Sequence, residues 1–143
     1  MYDEEDPRIV GRGATGGTAA GGRAVMEDLV RQNPGINAVY VVNEPTAAGV
    51  FAALKEVGKE NDVLVVSIDG SCEGVGRIAA GEIEATSMQY PHRMAILGID
   101  AVVEYSKTGR KPRGFYDTGV MLVTQHPAAE VTSITAEQAL NEC

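Results

Sequence analysis

Apolar positions along this chain fall into short blocks whose spacing switches between that of a helix and that of a strand. From Thr18 to about Gln32, residues Ala24, Val25, Leu29 and Val30 recur close to one-face helical spacing, and Asn33-Pro34-Gly35 ends the run. Ile36 to Val42 is β-branched and reads as a strand. Pro45 to about Val57 returns to helical spacing, with Ala48, Phe51, Ala52 and Leu54 apolar and Gly58 behind it. Asp62 to Ile68, "DVLVVSI", is apolar at nearly every position, as in a strand covered on both faces. A short helix from Cys72 to about Ala80 and a strand from Ile83 to Met88 follow. The pattern continues with a long helix from Pro91 to about Thr108, carrying Met94, Leu97, Ala101 and Val102 on one face, and a strand over Gly119–Thr124. "RIVGRGA" supplies a short strand candidate before the first helix, and Thr135-Ala136-Glu137-Gln138 a helix start in the tail.

Strands thus alternate with helices along the whole chain. That order predicts an α/β fold, a parallel sheet with helices on both faces, joined by right-handed crossovers. Residues 1–8 read as a polar lead-in and 9–143 as one domain, with no linker or internal repeat.

Composition narrows the function. Apolar residues make up 44% and charged residues 22%, ordinary for a globular protein. The net charge of −8 repels phosphate backbones, so nucleic acid is not an expected partner. No apolar run approaches the ~18–20 residues of a membrane span, so direct membrane insertion is not expected either. "MYDEEDPRIV" is acidic where a secretory leader would be basic and then apolar, which would read as cytoplasmic for a complete gene product. His92 and His126 stand apart from each other and from ligand-spaced carboxylates, so no metal site is expected. Cys72 and Cys143 are either two free thiols or one bridge from the tail to a loop.

The candidate chemistry lies at the strand ends. Ligands of open α/β sheets bind beyond the carboxyl ends of the strands. Successive strands there deliver Asn43-Glu44-Pro45, Asp69-Gly70 and Gln89-Tyr90-Pro91. Asn43, Asp69 and Gln89 each present a planar group with two hydrogen-bonding atoms, suited to vicinal sugar hydroxyls. None is a nucleophile and no His or Lys is placed as a base, so the set reads as recognition without catalysis. Singly, each has an ordinary explanation as a turn, cap or surface residue. A competing pattern is Gly11-Arg12-Gly13-Ala14-Thr15-Gly16, which fits a dinucleotide-binding fingerprint with Glu44 as its ribose-holding acid. Its strand is short, more small residues follow it, and Glu44 lies beyond the usual interval of about 20 residues.

The segments "INAVYVVNEPTAAGVFAALKEVG", "VLVVSIDGSCEGV", "IEATSMQYPHRMAILGIDAVVEYSKTGRKP" and "DTGVMLVT" resemble the second lobe of type I periplasmic binding proteins. The resemblance is to sugar-binding proteins of ABC importers, in the fructose- and ribose-binding branch. It implies an incomplete flavodoxin-like, Rossmann-like three-layer lobe that is not an enzyme and needs no cofactor. It also implies a monosaccharide ligand, a membrane permease as partner and a periplasmic or extracytoplasmic setting. The residues matching the family's sugar contacts are Asn43, Asp69 and Gln89, with Glu44 and Tyr90 flanking them as further candidates for ligand binding and the Gly13–Gly17 loop on the same cleft edge. The resemblance favours a Cys72–Cys143 disulfide. It also implies a missing N-terminal half. Residues 91–118 would pack on that half, and without it the chain would self-associate, bind its missing half or refold locally. The effector domain of a sugar-responsive repressor shares this fold and is an alternative reading.

Overall fold

The computed structural model describes residues 6–143; the first five residues of the expected lead-in lie outside the described residues. Five helices and five strands are formed in it. They are α1 (Ala19–Gln32), β1 (Ala38–Tyr40), α2 (Glu44–Glu56), β2 (Leu64–Asp69), α3 (Cys72–Ala79) and β3 (Ala85–Met88). α4 (Pro91–Thr108), β4 (Met121–Thr124), β5 (Ser133–Ile134) and α5 (Ala136–Leu140) complete the order. The caps explain most boundaries. Thr18, Asn43, Ser71 and Thr135 each accept a backbone N–H from the first turn of the helix they precede. At Thr135 the Gln138 side chain returns a bond, closing a capping box. Gly109 ends α4 with φ 69°, a left-handed conformation that suits glycine.

The sheet runs β1-β2-β3-β4-β5 and is mixed. β1, β2 and β3 are parallel, β4 is antiparallel to β3, and β5 is parallel to β4. The all-parallel expectation fails at β4 for a topological reason. α4 and the coil after it do not carry the chain back across the sheet. They lead away from the end of β3 and return to it, so Met121 pairs with Met88 and β4 runs downward.

The expected two-sided covering also fails. β1→α2→β2 and β2→α3→β3 join adjacent strands, and right-handed crossovers of that kind place both helices on one face. Val41, Val65, Met88 and Val123 on that face form a single core with Met26 of α1, Leu54 of α2, Ile78 of α3 and Ala139 of α5. The other face leaves Tyr40, Val42 and Leu64 more than half exposed. The unbroken apolar run of β2 therefore reflects an open apolar face as well as a buried one.

α1 lies directly on α2. Gly22 and Gly49 permit this: a Cβ on Gly22 would strike the carbonyl of Thr46, and one on Gly49 the carbonyl of Ala19. The buried side of α1 is carried by Gly22 and Met26, while Ala24, expected on that side, is exposed. On α2 the buried positions include Ala47, Val50, Ala53 and Leu54, with Ala48, Phe51 and Ala52 only half-buried.

Residues 9–14 form no strand. Gly11 and Gly13 bring this segment against α1, where added Cβ atoms would overlap Leu29 and Val25. It faces β1 across a groove lined by Val10, Val39 and Val41, and among the described residues β1 pairs with β2 alone. At the other end, α4 buries none of its 18 residues. Cys72, the first residue of α3, is bonded to Cys143 with a Cα–Cα distance of 5.8 Å, which fastens the tail beside the helix.

Candidate ligand-binding site

Because β1, β2 and β3 are parallel, their carboxyl ends share one edge, where open sheets of this class hold ligands. Asn43 stands at that edge as the N-cap of α2. Its Oδ1 accepts the Thr46 N–H at 3.0 Å, and its Nδ2 donates to the Gly17 carbonyl at 3.0 Å. The second bond draws the glycine-rich segment onto the same edge.

Asp69 is the last residue of β2 and has φ 138°, a region that residues with a side chain rarely enter. Such a conformation costs on the order of 1–3 kcal/mol and persists only where neighbours enforce it. Gly70 follows at φ 77°, and a Cβ there would overlap the Met88 side chain. The Asp69 carboxylate is held at both oxygens. Oδ2 accepts the backbone N–H of Glu44 at 3.2 Å, at the electropositive start of α2. Oδ1 accepts Gln89 Nε2 at 2.9 Å. The backbone N–H of Gln89 also donates to the Asp69 carbonyl at 3.0 Å, extending the β2–β3 ladder to the edge.

Asn43, Asp69 and Gln89 therefore form a contiguous, partly exposed row across three strand ends. Each Asp69 oxygen can accept a further bond, and an amide group can both donate and accept. The row suits a neutral ligand dense in hydroxyls.

Glu44, expected as a further ligand contact beside the matched positions, has its carboxylate engaged by internal partners instead. It is only 5% exposed and is turned beneath the edge. Its carboxylate accepts from Gly70 N–H at 2.9 Å, Ser71 N–H at 3.1 Å, the Thr86 hydroxyl at 3.1 Å and the Ser71 hydroxyl. A buried carboxylate needs such donors, and Glu44 finds all of them inside the protein. Tyr90 is half-buried against the core, and the Arg93 guanidinium lies 4.3 Å from its ring centroid. Arg93 also donates to the Thr118 carbonyl at 3.4 Å, where the chain returns toward β4.

Sequence reasoning missed Ser71, Thr86 and Arg93. Ser71 carried a signal as a cap before α3, whereas Thr86, in a strand reading Ala-Thr-Ser-Met, did not stand out from its neighbour Ser87. Arg93 stands three residues after Tyr90, a spacing present in the sequence, whereas its Thr118 partner is brought close only by the fold. The dinucleotide fingerprint lacks its structural context: among the described residues no strand precedes its glycines, and its acidic candidate is the buried Glu44. His126 lies at the opposite end of the sheet, 2.7 Å from Glu84, which precedes β3. Among the described residues, no group of three His, Cys, Asp or Glu side chains could hold a metal ion.

A family described as "Periplasmic binding protein domain" matches residues 3–111. Among characterised relatives, the D-allose-binding periplasmic protein of Escherichia coli is 35% identical over 86 residues, covering 60% of this chain and 28% of that protein. The ribose import binding protein RbsB of Escherichia coli is 32% identical over 104 residues, covering 73% of this chain and 34% of that protein. A carbohydrate transporter solute-binding protein from Agrobacterium radiobacter, crystallised with D-arabinose, superposes with TM-score 0.65 and 35% identity, covering 76% of this chain and 37% of its own. The chain thus spans less than half the length of each of these relatives. With the family matched over most of its length, on a fold that superposes on a solved relative, the chain belongs to the periplasmic binding protein domain family.

Proposed function

We propose that this chain is a sugar-recognition lobe from the solute-binding protein of an ABC importer, and that Asn43, Asp69 and Gln89 hydrogen-bond the hydroxyls of a monosaccharide. The observation that carries this reading is the Asp69–Gln89 pair. A strained aspartate and an amide are held 2.9 Å apart at the ligand-binding edge of the sheet, beside a third polar group in Asn43. The relatives named for D-allose and ribose, and the one crystallised with D-arabinose, support a pentose or hexose as the ligand class. Tyr90 sits beside the row as an apolar neighbour for a sugar ring. The lobe binds and delivers its ligand to a membrane permease without changing it, in an extracytoplasmic compartment.

In this reading the lobe is the second half of a two-lobed protein. Two surfaces suit a covering partner. α4 exposes Met94, Ile96, Leu97, Ile99, Val102 and Val103, and among the described residues β1 has one edge without a strand partner, beside the groove at residues 9–13. Apolar faces and open edges of this kind are normally covered. The test is titration of the 15N-labelled chain with D-allose, D-ribose and D-arabinose. Saturable shifts at Asn43, Asp69 and Gln89 are expected. Shifts confined to other residues would place the binding site elsewhere.

A further inference from the structure

Glu44 follows a helix cap, a position where a carboxylate ordinarily sits in water near the helix N-terminus. Here it is buried, and what surrounds it is informative. Oε1 receives the Gly70 N–H and the Thr86 hydroxyl; Oε2 receives the N–H and the hydroxyl of Ser71. All four donors are neutral. Two are consecutive backbone N–H groups, directly after Asp69 at φ 138° and including Gly70 at φ 77°. Successive N–H groups converging in this way form an anion-binding concavity, and the anion that fills it belongs to the protein itself.

The fold keeps space for this side chain. A Cβ on Gly74 would overlap the Glu44 carboxylate, yet Gly74 lies within α3 and has no left-handed backbone to require glycine. Helix interiors disfavour glycine, so its presence here is explained by the carboxylate it accommodates. Glu44 also acts through its backbone, because its N–H is the donor to Asp69 Oδ2. One residue therefore grips Asp69 from two sides: at its carboxylate, and through the turn that follows it.

We propose that Glu44 is a positioning residue, whose buried carboxylate clamps the Asp69–Ser71 turn and so holds the Asp69 side chain at the edge of the sheet in register with Gln89. It touches no ligand and acts through Asp69. The proposal rests on the reading of Asp69 and Gln89 as sugar contacts for its functional meaning, but its geometry can be tested without sugar.

The experiment uses the 143-residue chain, 15N-labelled, as wild type, Glu44→Gln and Gly74→Ala. Glu44→Gln keeps the shape and one acceptor oxygen but turns an NH2 group toward the donors. Gly74→Ala leaves Glu44 in the sequence and pushes its carboxylate aside, while favouring the helix it sits in. In both variants the amide protons of Gly70 and Ser71 should move upfield and exchange at least tenfold faster. The Gln89 side-chain amide should lose its Asp69-bonded shift. Signals of Met26 and Leu54 should stay in place. Sugar-induced shifts at Asp69 and Gln89 should fall at least fivefold against wild type. Wild-type signals at Gly70, Ser71 and Gln89 in a folded Gly74→Ala chain would overturn the proposal, even if Glu44→Gln failed to fold. Altered Gly70 and Ser71 signals with an intact Gln89 amide and sugar response would also overturn it, because Glu44 would then serve the turn and not Asp69. If wild type shows no sugar response up to high millimolar concentrations, the reading of the site as a sugar wall fails, while the Gln89 amide still decides whether Glu44 positions Asp69.

Discussion

Gln89 donates its side-chain amide to Asp69 Oδ1 at 2.9 Å, joining the ends of β2 and β3 by a side-chain bond above the last backbone bond. The pair leaves acceptor and donor capacity facing outward from the sheet. Its cost is carried by Asp69, whose φ of 138° would suit glycine better.

Asp69→Gly separates these two effects. The substitution relieves strain worth on the order of 1–3 kcal/mol but gives up the bonds to Gln89 and to the Glu44 N–H. The melting temperature should therefore stay within a few degrees of wild type. Sugar-induced shifts should vanish. A large loss of stability would mean that Asp69 serves the fold more than the ligand.

Affinity of the single chain should be weak. Net gains of about 1 kcal/mol per hydrogen bond, set against the cost of immobilising a ligand on one open wall, put binding in the millimolar range. Calorimetry on the chain alone should give little heat with allose, ribose or arabinose. If the chain is one lobe of two, as proposed, adding the second lobe should tighten binding by orders of magnitude, through burial of the ligand. Micromolar binding by the chain alone would contradict the single-wall argument.

The charge of the wall should select against anionic sugars. Asp69 is at the surface, Glu44 lies directly beneath it, and the chain carries a net charge of −8. Because Glu44 already occupies the N–H concavity, a sugar phosphate finds repulsion where other folds offer a phosphate cradle. Ribose 5-phosphate should cause no site shifts at concentrations where ribose does, and the same residues responding equally to both would refute this.

Reduction of the Cys72–Cys143 bond should destabilise the chain. The bond closes a loop of 71 residues in sequence separation, for which loop entropy predicts about 4 kcal/mol. Thermal unfolding with and without reductant measures the difference, and non-reducing peptide mapping identifies the linked pair.

Gly49→Ala should be more damaging than a helix propensity scale suggests. The added Cβ meets the Ala19 carbonyl, a backbone atom that cannot swing away. Overpacking of this kind costs roughly 1–3 kcal/mol, against a propensity gain of under about 1 kcal/mol. Denaturant unfolding should show a net loss.

The placement of Asn43, Asp69 and Gln89 along one edge was legible in the sequence because each stands at or shortly after the end of an apolar strand run, and parallel order aligns strand ends. The role of Glu44 was not legible, since it depends on Gly74, Thr86 and Ser71, which only the fold gathers. Periodicity located α4 but not its surroundings; an amphipathic pattern says that a face is apolar without saying what covers it. β4 was found as a strand and assigned the wrong direction, because direction depends on the path through residues 109–120, which carry no periodic signal. The two-residue β5 was too short to register, and the Arg8–Ala14 run was mistaken for a strand because its glycines serve packing against α1.

The Cys72–Cys143 bond has a mechanical consequence. Cys72 directly follows Ser71, whose N–H and hydroxyl both hold the Glu44 carboxylate. A handle attached beyond Cys143 therefore pulls on the turn bearing Asp69 and leaves β5 and α5 slack within the closed loop. Force applied at the tail would be felt first at the edge that carries Asp69, and reducing the bond would reroute that load through the sheet.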